Sequence, residues 1–159
     1  MGLHTIKLLK LLTKFWRVPN SNKVIALKAW YLFIYWNILI SVVPYKYWKN
    51  KLFKNSHTFS DGTIADVISI TQLIEKVARN HFVKINCLRR CAVQKQLLTK
   101  LGFQPQLVFG VKKQQGKLFA HCWLTLNGQL INDSKEETSQ YVALLSHDKN
   151  QSQILKSLK

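Results

Sequence analysis

Three side chains in this 159-residue sequence have the types and the chain order of a nucleophile, a general base and an orienting acid. Cys87 is predicted to begin a helix, where unpaired N–H groups and the helix dipole favour a thiolate over a thiol. A thiolate nucleophile needs a neighbouring base, and His121 is available on a predicted strand. The base needs an orienting group, and Asp133 ends the returning strand. The pattern predicts nucleophilic cysteine chemistry at a carbonyl carbon.

Whether the histidine and the aspartate meet depends on the hairpin FAHCWLTLNGQLIND, residues 119–133. A two-residue type I′ loop at Asn127 and Gly128 would place His121 and Asp133 on different faces of the ribbon. A three-residue loop, with Gly128 in the left-handed region, would place them directly opposite each other. The sequence permits both turns. An unpaired aspartate in an apolar ribbon is costly, so we predict the three-residue loop.

Zinc binding is the competing use of these side chains, with Cys87, Cys91, His121 and Cys122 as ligands. Adjacent strand residues such as His121 and Cys122 point to opposite faces, and the spacings match no usual structural zinc site. We therefore expect no metal ion and no cofactor. In the three-residue register Cys122 faces away from the triad, opposite Asn132.

The periodicity along the chain predicts helices first and then a helix followed by three strands. That order is typical of an α+β fold with an antiparallel sheet. The apolar run 29–43 is shorter than the roughly 18–20 residues of a bilayer span, so we predict a buried helix there. Asn86 and Gly102 are the expected N-cap and C′ residues of the cysteine helix. The predicted elements are helices at Leu3–Trp16, 23–43, 63–80 and 87–101, a strand at 105–113 and the hairpin at 119–133.

The charge is strongly one-sided, with a net +17 and ten Lys or Arg but no acidic residue in positions 1–60. Such a balance predicts attraction to an anionic partner: an acidic peptide, a protein, a membrane surface or nucleic acid. Three cysteines make a disulfide scaffold improbable and favour a reducing compartment. Lysines interrupt the N-terminal apolar run, so it lacks a signal-peptide core. We expect a cytoplasmic protein, compatible with peripheral membrane contact.

Two stretches, CLRRCAVQKQLLTKLGFQPQLVFGVKK and FAHCWLTLNGQLIND, resemble the transglutaminase-like cysteine protease core of lasso-peptide maturation proteins. The resemblance covers about residues 63–145 and implies a papain/transglutaminase-like core, in which the cysteine helix packs on a small antiparallel sheet. Cys122 is a departure, because the family usually has alanine there. The matching landmarks are Cys87-Leu88, Leu101-Gly102-Phe103, Pro105, Leu107-Val108, Gly110-Val111, His121-Cys122-Trp123 and Asn132-Asp133.

The resemblance implies a leader peptidase with Cys87, His121 and Asp133 as its triad. Such a protein cuts the leader from a ribosomally made precursor peptide, and an asparagine-synthetase-like cyclase then closes the freed core. A separate recognition protein presents the leader, and no module of that kind is visible in this sequence. We therefore expect a stand-alone cysteine endopeptidase with these partners and without nucleic acid.

The predicted organisation is a basic helical region at 1–60 for partner docking, a peptidase core at 61–145 and a polar tail at 146–159. Two alternatives stay open. The same triad would serve an acyl transferase, because water access and not the triad separates hydrolysis from transfer. The charge would also suit a non-enzymatic module that binds membranes or nucleic acid.

Overall fold

Helices precede a small sheet along the chain, and the computed structural model describes residues 20–54 and 60–144. The sheet is antiparallel, with strand order β3-β2-β1-β4. The predicted α+β fold is confirmed, while the predicted helix Leu3–Trp16 and the tail 146–159 lie outside the described residues. The elements are α1 (Asn20–Val42), α2 (Tyr45–Phe53), α3 (Ile64–Arg79), α4 (Cys87–Lys100), β1 (Gln106–Gln114), β2 (Lys117–Leu126), β3 (Gln129–Leu130), α5 (Lys135–Thr138) and β4 (Val142–Leu144).

Capping side chains fix where the two central helices begin. Thr63 and Asp66 form a reciprocal capping box on α3, in which Asp66 Oδ2 accepts from the Thr63 N–H at 2.8 Å. On α4, Asn86 Oδ1 accepts from the Arg89 N–H at 3.1 Å. Gly102 follows α4 with a φ of 90°, the left-handed conformation expected of a C′ residue. The cap at Asn86 makes the cysteine the first residue of α4, as predicted.

Helix α4 lies at the centre of the packing, in contact with α1, α3 and β2 of the sheet. One face of α1 is fully buried through Phe33, Trp36 and Ile40. The Trp36 Nε1–H donates to Gln96 Oε1 at 2.7 Å, which ties α1 to α4 by a polar contact as well. The apolar run at 29–43 is therefore a core helix along this face.

The opposite face of α1 is exposed. Within the described part of the chain, α1 is the one helix long and apolar enough to cross a membrane by length and composition. In this structure it packs against α3 and α4 along one face and is exposed along the other.

The hairpin between β2 and β3 turns through two residues, so the predicted three-residue loop is wrong. Leu126 pairs with Gln129, and both loop residues have positive φ, 49° at Asn127 and 79° at Gly128. This is a type I′ turn, whose twist matches that of the flanking strands and which Asn-Gly adopts readily. The preference of Asn-Gly for this turn thus outweighs the cost of burying an unpaired aspartate, on which the prediction of a three-residue loop rested. If β3 continued straight in this register, Asp133 would lie on the wrong face; β3 instead ends after two residues.

Candidate active site

His121 and Asp133 meet despite the unexpected register. His121 lies in the middle of β2, and its Nε2 is 2.8 Å from Asp133 Oδ2. The other carboxylate oxygen, Oδ1, accepts from the Ser134 N–H at 2.9 Å. Each of the two paired side chains is only 14% exposed, so the contact is largely shielded from water.

The side chain of Asn132 explains how the chain reaches this geometry. Its Oδ1 accepts from the Leu124 N–H at 2.7 Å, in the place of a backbone carbonyl of a continued β3. Its Nδ2 donates to Gln94 Oε1 at 2.7 Å, inside the core. One residue earlier, the Ile131 carbonyl accepts from Thr71 Oγ1 at 2.9 Å. These buried polar side chains draw residues 131–132 towards α3 and α4, and the bend turns the following aspartate to the histidine.

Cys87 lies at an unpaired stretch of the β2 edge. The backbone N–H and carbonyl of Leu124 point to the β3 edge of the strand. Backbone groups alternate between the two edges of a strand, so those of Cys122, two residues earlier, point to the same edge. Strand β3 is too short to pair there, and the Cys122 backbone N–H instead hydrogen-bonds the Cys87 sulfur. The sulfur also hydrogen-bonds His121. Since Asp133 holds Nε2 of the imidazole, Nδ1 is the atom left for the sulfur.

The Cys87 thiol and the His121 imidazole shift each other's pKa in opposite directions. The pKa of Cys87 falls from 9.0 to about 4, chiefly through a hydrogen bond from the Cys122 thiol and further through His121, which together outweigh burial. The pKa of His121 rises from 6.5 to about 9, first through the hydrogen bond to Asp133 and then through Cys87. A thiolate–imidazolium pair therefore exists across the interval between these two values.

The thiol of Cys122 contributes to the site, so the prediction that it faces away from the triad is wrong. Strand alternation does place its side chain on the face opposite His121. That face packs against α4, whose first residue is Cys87, so the Cys122 thiol reaches the Cys87 sulfur. Complete burial raises the pKa of Cys122 well above its usual value, which keeps it a neutral thiol that donates its proton.

A chain of charged groups holds the aspartate from its other side. Arg90 Nη2 donates to Asp133 Oδ2 at 3.1 Å, and Arg90 Nη1 lies 3.6 Å from Glu75 Oε2. Burial would raise the pKa of Asp133, but hydrogen bonds from His121 and the Ser134 N–H, with the charge of Arg90, lower it instead. The carboxylate is thus held ionised. Sequence reasoning missed Arg90 as its partner, although a residue three after the cysteine lies on the same helix face.

Aromatic rings confine the imidazole. The centroid of the His121 ring lies 5.2 Å from that of Tyr141 and 6.0 Å from that of Trp123. Gly110, the partner of His121 on β1, leaves room for these rings: a Cβ there would lie 2.6 Å from the Trp123 ring and 2.8 Å from Tyr141 Cβ. Tyr141 reaches the site from the segment that precedes β4. Sequence reasoning did not identify it as a neighbour of His121, because that contact depends on how the sheet is assembled.

A polar cleft of about 450 Å³ opens beside the aspartate and the arginine. It lies between α3, α4 and residues 130–134, and neither Cys87 nor His121 lines it. Among residues 20–54 and 60–144, no three His, Cys, Asp or Glu side chains are grouped so that they could hold a metal ion. The arrangement at Cys87 is instead that of an activated thiolate beside a proton donor, which suits attack on an acyl carbon.

Comparison with known proteins adds the family. The profile of the transglutaminase-like superfamily matches residues 53–146, which span β1 to β4, α3 and α4. No curated protein and no solved structure gives a match. Members of the superfamily are generally cysteine-dependent enzymes, and the domain suggests activity of the cysteine protease or acyltransferase type. Because the match covers more than half of the sequence, this chain belongs to the transglutaminase-like superfamily.

Proposed function

We propose that this protein is a cysteine endopeptidase that removes the leader from a ribosomally made precursor peptide in lasso-peptide biosynthesis. The observation that carries the catalytic part is the continuous contact from Cys87 through His121 to Asp133, closed by the 2.8 Å hydrogen bond. The resemblance of residues 63–145 to lasso-peptide maturation proteins supports the choice of substrate.

In the first half of the reaction the Cys87 thiolate attacks the scissile carbonyl carbon, and the carbonyl oxygen becomes an oxyanion. The backbone N–H of Cys87 is the proposed donor to that oxygen, since the first amides of a helix have no intrahelical acceptor. As the C–N bond breaks, His121 gives its Nδ1 proton to the leaving amine, and the leader stays bound to Cys87 as a thioester.

In the second half a water molecule attacks the thioester. The neutral His121 takes the water proton, the C–S bond breaks, and Cys87 returns as a thiolate beside the reprotonated imidazole. Asp133 keeps the imidazole oriented and stabilises its positive charge in both halves. An amine in the place of water would give acyl transfer with the same three groups, so the acceptor decides between hydrolase and transferase.

The proposed partners follow from the same assignment. A separate recognition protein would present the leader, and an asparagine-synthetase-like cyclase would use the amine that cleavage frees. Residues 1–60, with ten basic and no acidic residues, are the proposed docking region for these partners, which would use a part of it other than the exposed apolar face of α1. Leader release should therefore be faster when the recognition protein is present.

The test is leader release from a lasso precursor peptide, followed by mass spectrometry with and without a recognition protein. Cys87→Ala and His121→Ala should abolish cleavage. Cys91→Ser is the matched control: the Cys91 thiol lies outside the triad, donates to the Cys122 carbonyl and accepts from Asn132 Nδ2, and a serine hydroxyl can keep both hydrogen bonds. It should cleave within a few-fold of the unmodified protein.

Hydroxylamine in the same assay should convert part of the leader to its hydroxamate, since it intercepts a thioester on Cys87. Cleavage by Cys87→Ala at a comparable rate would overturn the mechanism. If the leader is never released as the acid and appears only as amide products with added amines, the protein is an acyl transferase.

A further inference from the structure

An apolar stripe runs along the solvent side of α1. It consists of the side chains at positions 24, 27, 31, 35, 38 and 42. At 3.6 residues per turn these positions fall within about 80° of the helix circumference and extend for about 27 Å along the axis. Tyr35 continues the stripe as a half-buried side chain. The exposed fractions are 51% for Val24, 59% for Leu27, 66% for Tyr31, 55% for Ile38 and 74% for Val42. These five residues with Tyr35 are called the outer stripe.

Lysines border the outer stripe. Lys28 is exposed beside it on α1, and Lys51 of α2 donates to the Tyr35 hydroxyl at 2.7 Å with its ammonium over the Tyr35 ring. On α2, Lys46 lies 4.8 Å from the centroid of the exposed Tyr47 ring. Apolar side chains, tyrosines and lysines are thus exposed on both helices, Lys51 links α2 to the outer stripe, and no acidic residue occurs in either helix.

This charge pattern selects the occupant of the stripe. A second copy of the chain would bring two surfaces together that carry only positive charge, within a protein of net charge +17. Residues 1–19 would add four more basic residues and no acid. An anionic lipid surface offers an apolar acyl-chain region to the apolar side chains and negatively charged phosphates to the lysines. Tyrosine and lysine beside an apolar strip are also typical of a helix that lies in the membrane interface.

We infer that the outer stripe of α1 and the lysines beside it dock this protein on an anionic membrane surface. The apolar side chains enter the boundary between headgroups and acyl chains, while the lysines contact the phosphates. The buried face of α1 stays packed on α3 and α4, so the helix lies along the surface and does not span it. The outer stripe contains no residue of the Cys87 site, which is built from α4, β2 and residues 132–134.

Vesicle co-sedimentation of the full chain tests this inference at about 0.15 M salt, with phosphatidylglycerol–phosphatidylcholine vesicles against phosphatidylcholine alone. The unmodified protein should bind the anionic vesicles. The triple variant Leu27→Ser, Tyr31→Ser, Ile38→Ser keeps every charge and should bind about 100-fold more weakly, since each partly inserted side chain is worth about a factor of five. Leu118→Ser with Phe119→Ser, two exposed apolar residues of β2, is the matched control and should bind like the unmodified protein.

A second pair at the ends of the stripe, Val24→Ser with Val42→Ser, should weaken binding on the order of tenfold and guards against misfolding of the triple variant. Equal binding by the stripe variants and the unmodified protein would overturn the inference, because charge alone would then account for the affinity. Failure of the unmodified protein to bind anionic vesicles would overturn it too, and is the result expected if an acidic protein covers the stripe. Neither result bears on leader cleavage.

Discussion

Alkylation of Cys87 as a function of pH tests the thiolate–imidazolium pair without any knowledge of the substrate. Iodoacetamide reacts with thiolates, and the two other cysteines are 0% exposed in the folded protein, so labelling reports on Cys87. With a pKa of about 4, Cys87 should react at half its plateau rate near pH 4. A second inflection should appear near pH 9, where His121 loses its proton and the thiolate becomes more nucleophilic.

The size of the effect follows from two opposing factors. At pH 5 a thiol of ordinary pKa 9.0 is roughly 10⁻⁴ ionised, whereas Cys87 is nearly all thiolate, a gain of about 10⁴. A thiolate whose thiol has a pKa lower by about five pH units reacts more slowly with the same reagent, by a factor of roughly 10² to 10²·⁵. The net prediction is that Cys87 in the folded protein labels about 30–100-fold faster at pH 5 than cysteines in the urea-unfolded chain.

Mass spectrometry of the labelled protein over pH 3.5–10, with circular dichroism at each pH as the control for folding, measures this profile. His121→Ala removes the imidazolium and should move the lower midpoint up by at least about one pH unit. A lower midpoint above pH 7 in the unmodified protein, or an unchanged midpoint in His121→Ala, would refute the ion pair.

Three further substitutions separate the supporting contacts. Asp133→Asn should keep the geometry but favour the wrong imidazole tautomer, and it should slow leader cleavage by roughly 10²–10⁴ in a single-turnover assay; a loss below tenfold would contradict the orienting role. Asn132→Ala leaves the Leu124 N–H and the Gln94 side chain without their partner, so urea unfolding should report a loss of about 2–4 kcal/mol, and an unchanged midpoint would exclude its bending role. Cys122→Ala, which removes the thiol donor, should raise the midpoint of Cys87 labelling, whereas Cys122→Ser keeps a donor and should raise it less.

Much of the scaffold could be predicted because its signals are local. The capping box at Thr63, the N-cap Asn86 and Gly102 after α4 each act within one helical turn, and each was readable from residue type and spacing. The position of Cys87 at a helix start followed from the same signals. His121 and Asp133 were chosen from residue type and chain order, and the family resemblance then pointed to the same two residues.

The contacts that tune the site are non-local, and the sequence did not reveal them. Arg90 meets Asp133 across 43 positions, and Tyr141, which directly precedes β4, meets His121 of β2 across β1. In the structure the Arg90 guanidinium lies between two carboxylates, those of Glu75 and Asp133. Such pairings depend on tertiary packing, for which one sequence contains no periodic signal.

The prediction for the hairpin named the right pair of residues for the wrong reason. Burial of Asp133 predicted that it would find His121, and it does, but the three-residue loop that was to bring them together does not form. Strand register is set by the turn, and Asn127-Gly128 specifies a two-residue type I′ turn more strongly than one distant ion pair can oppose. The chain satisfies both demands by ending β3 early, with the Asn132 amide in the place of a backbone partner. The early end of β3 also leaves the Cys122 N–H free to bind the Cys87 sulfur, so one break in the ladder orients the aspartate and makes room for the nucleophile.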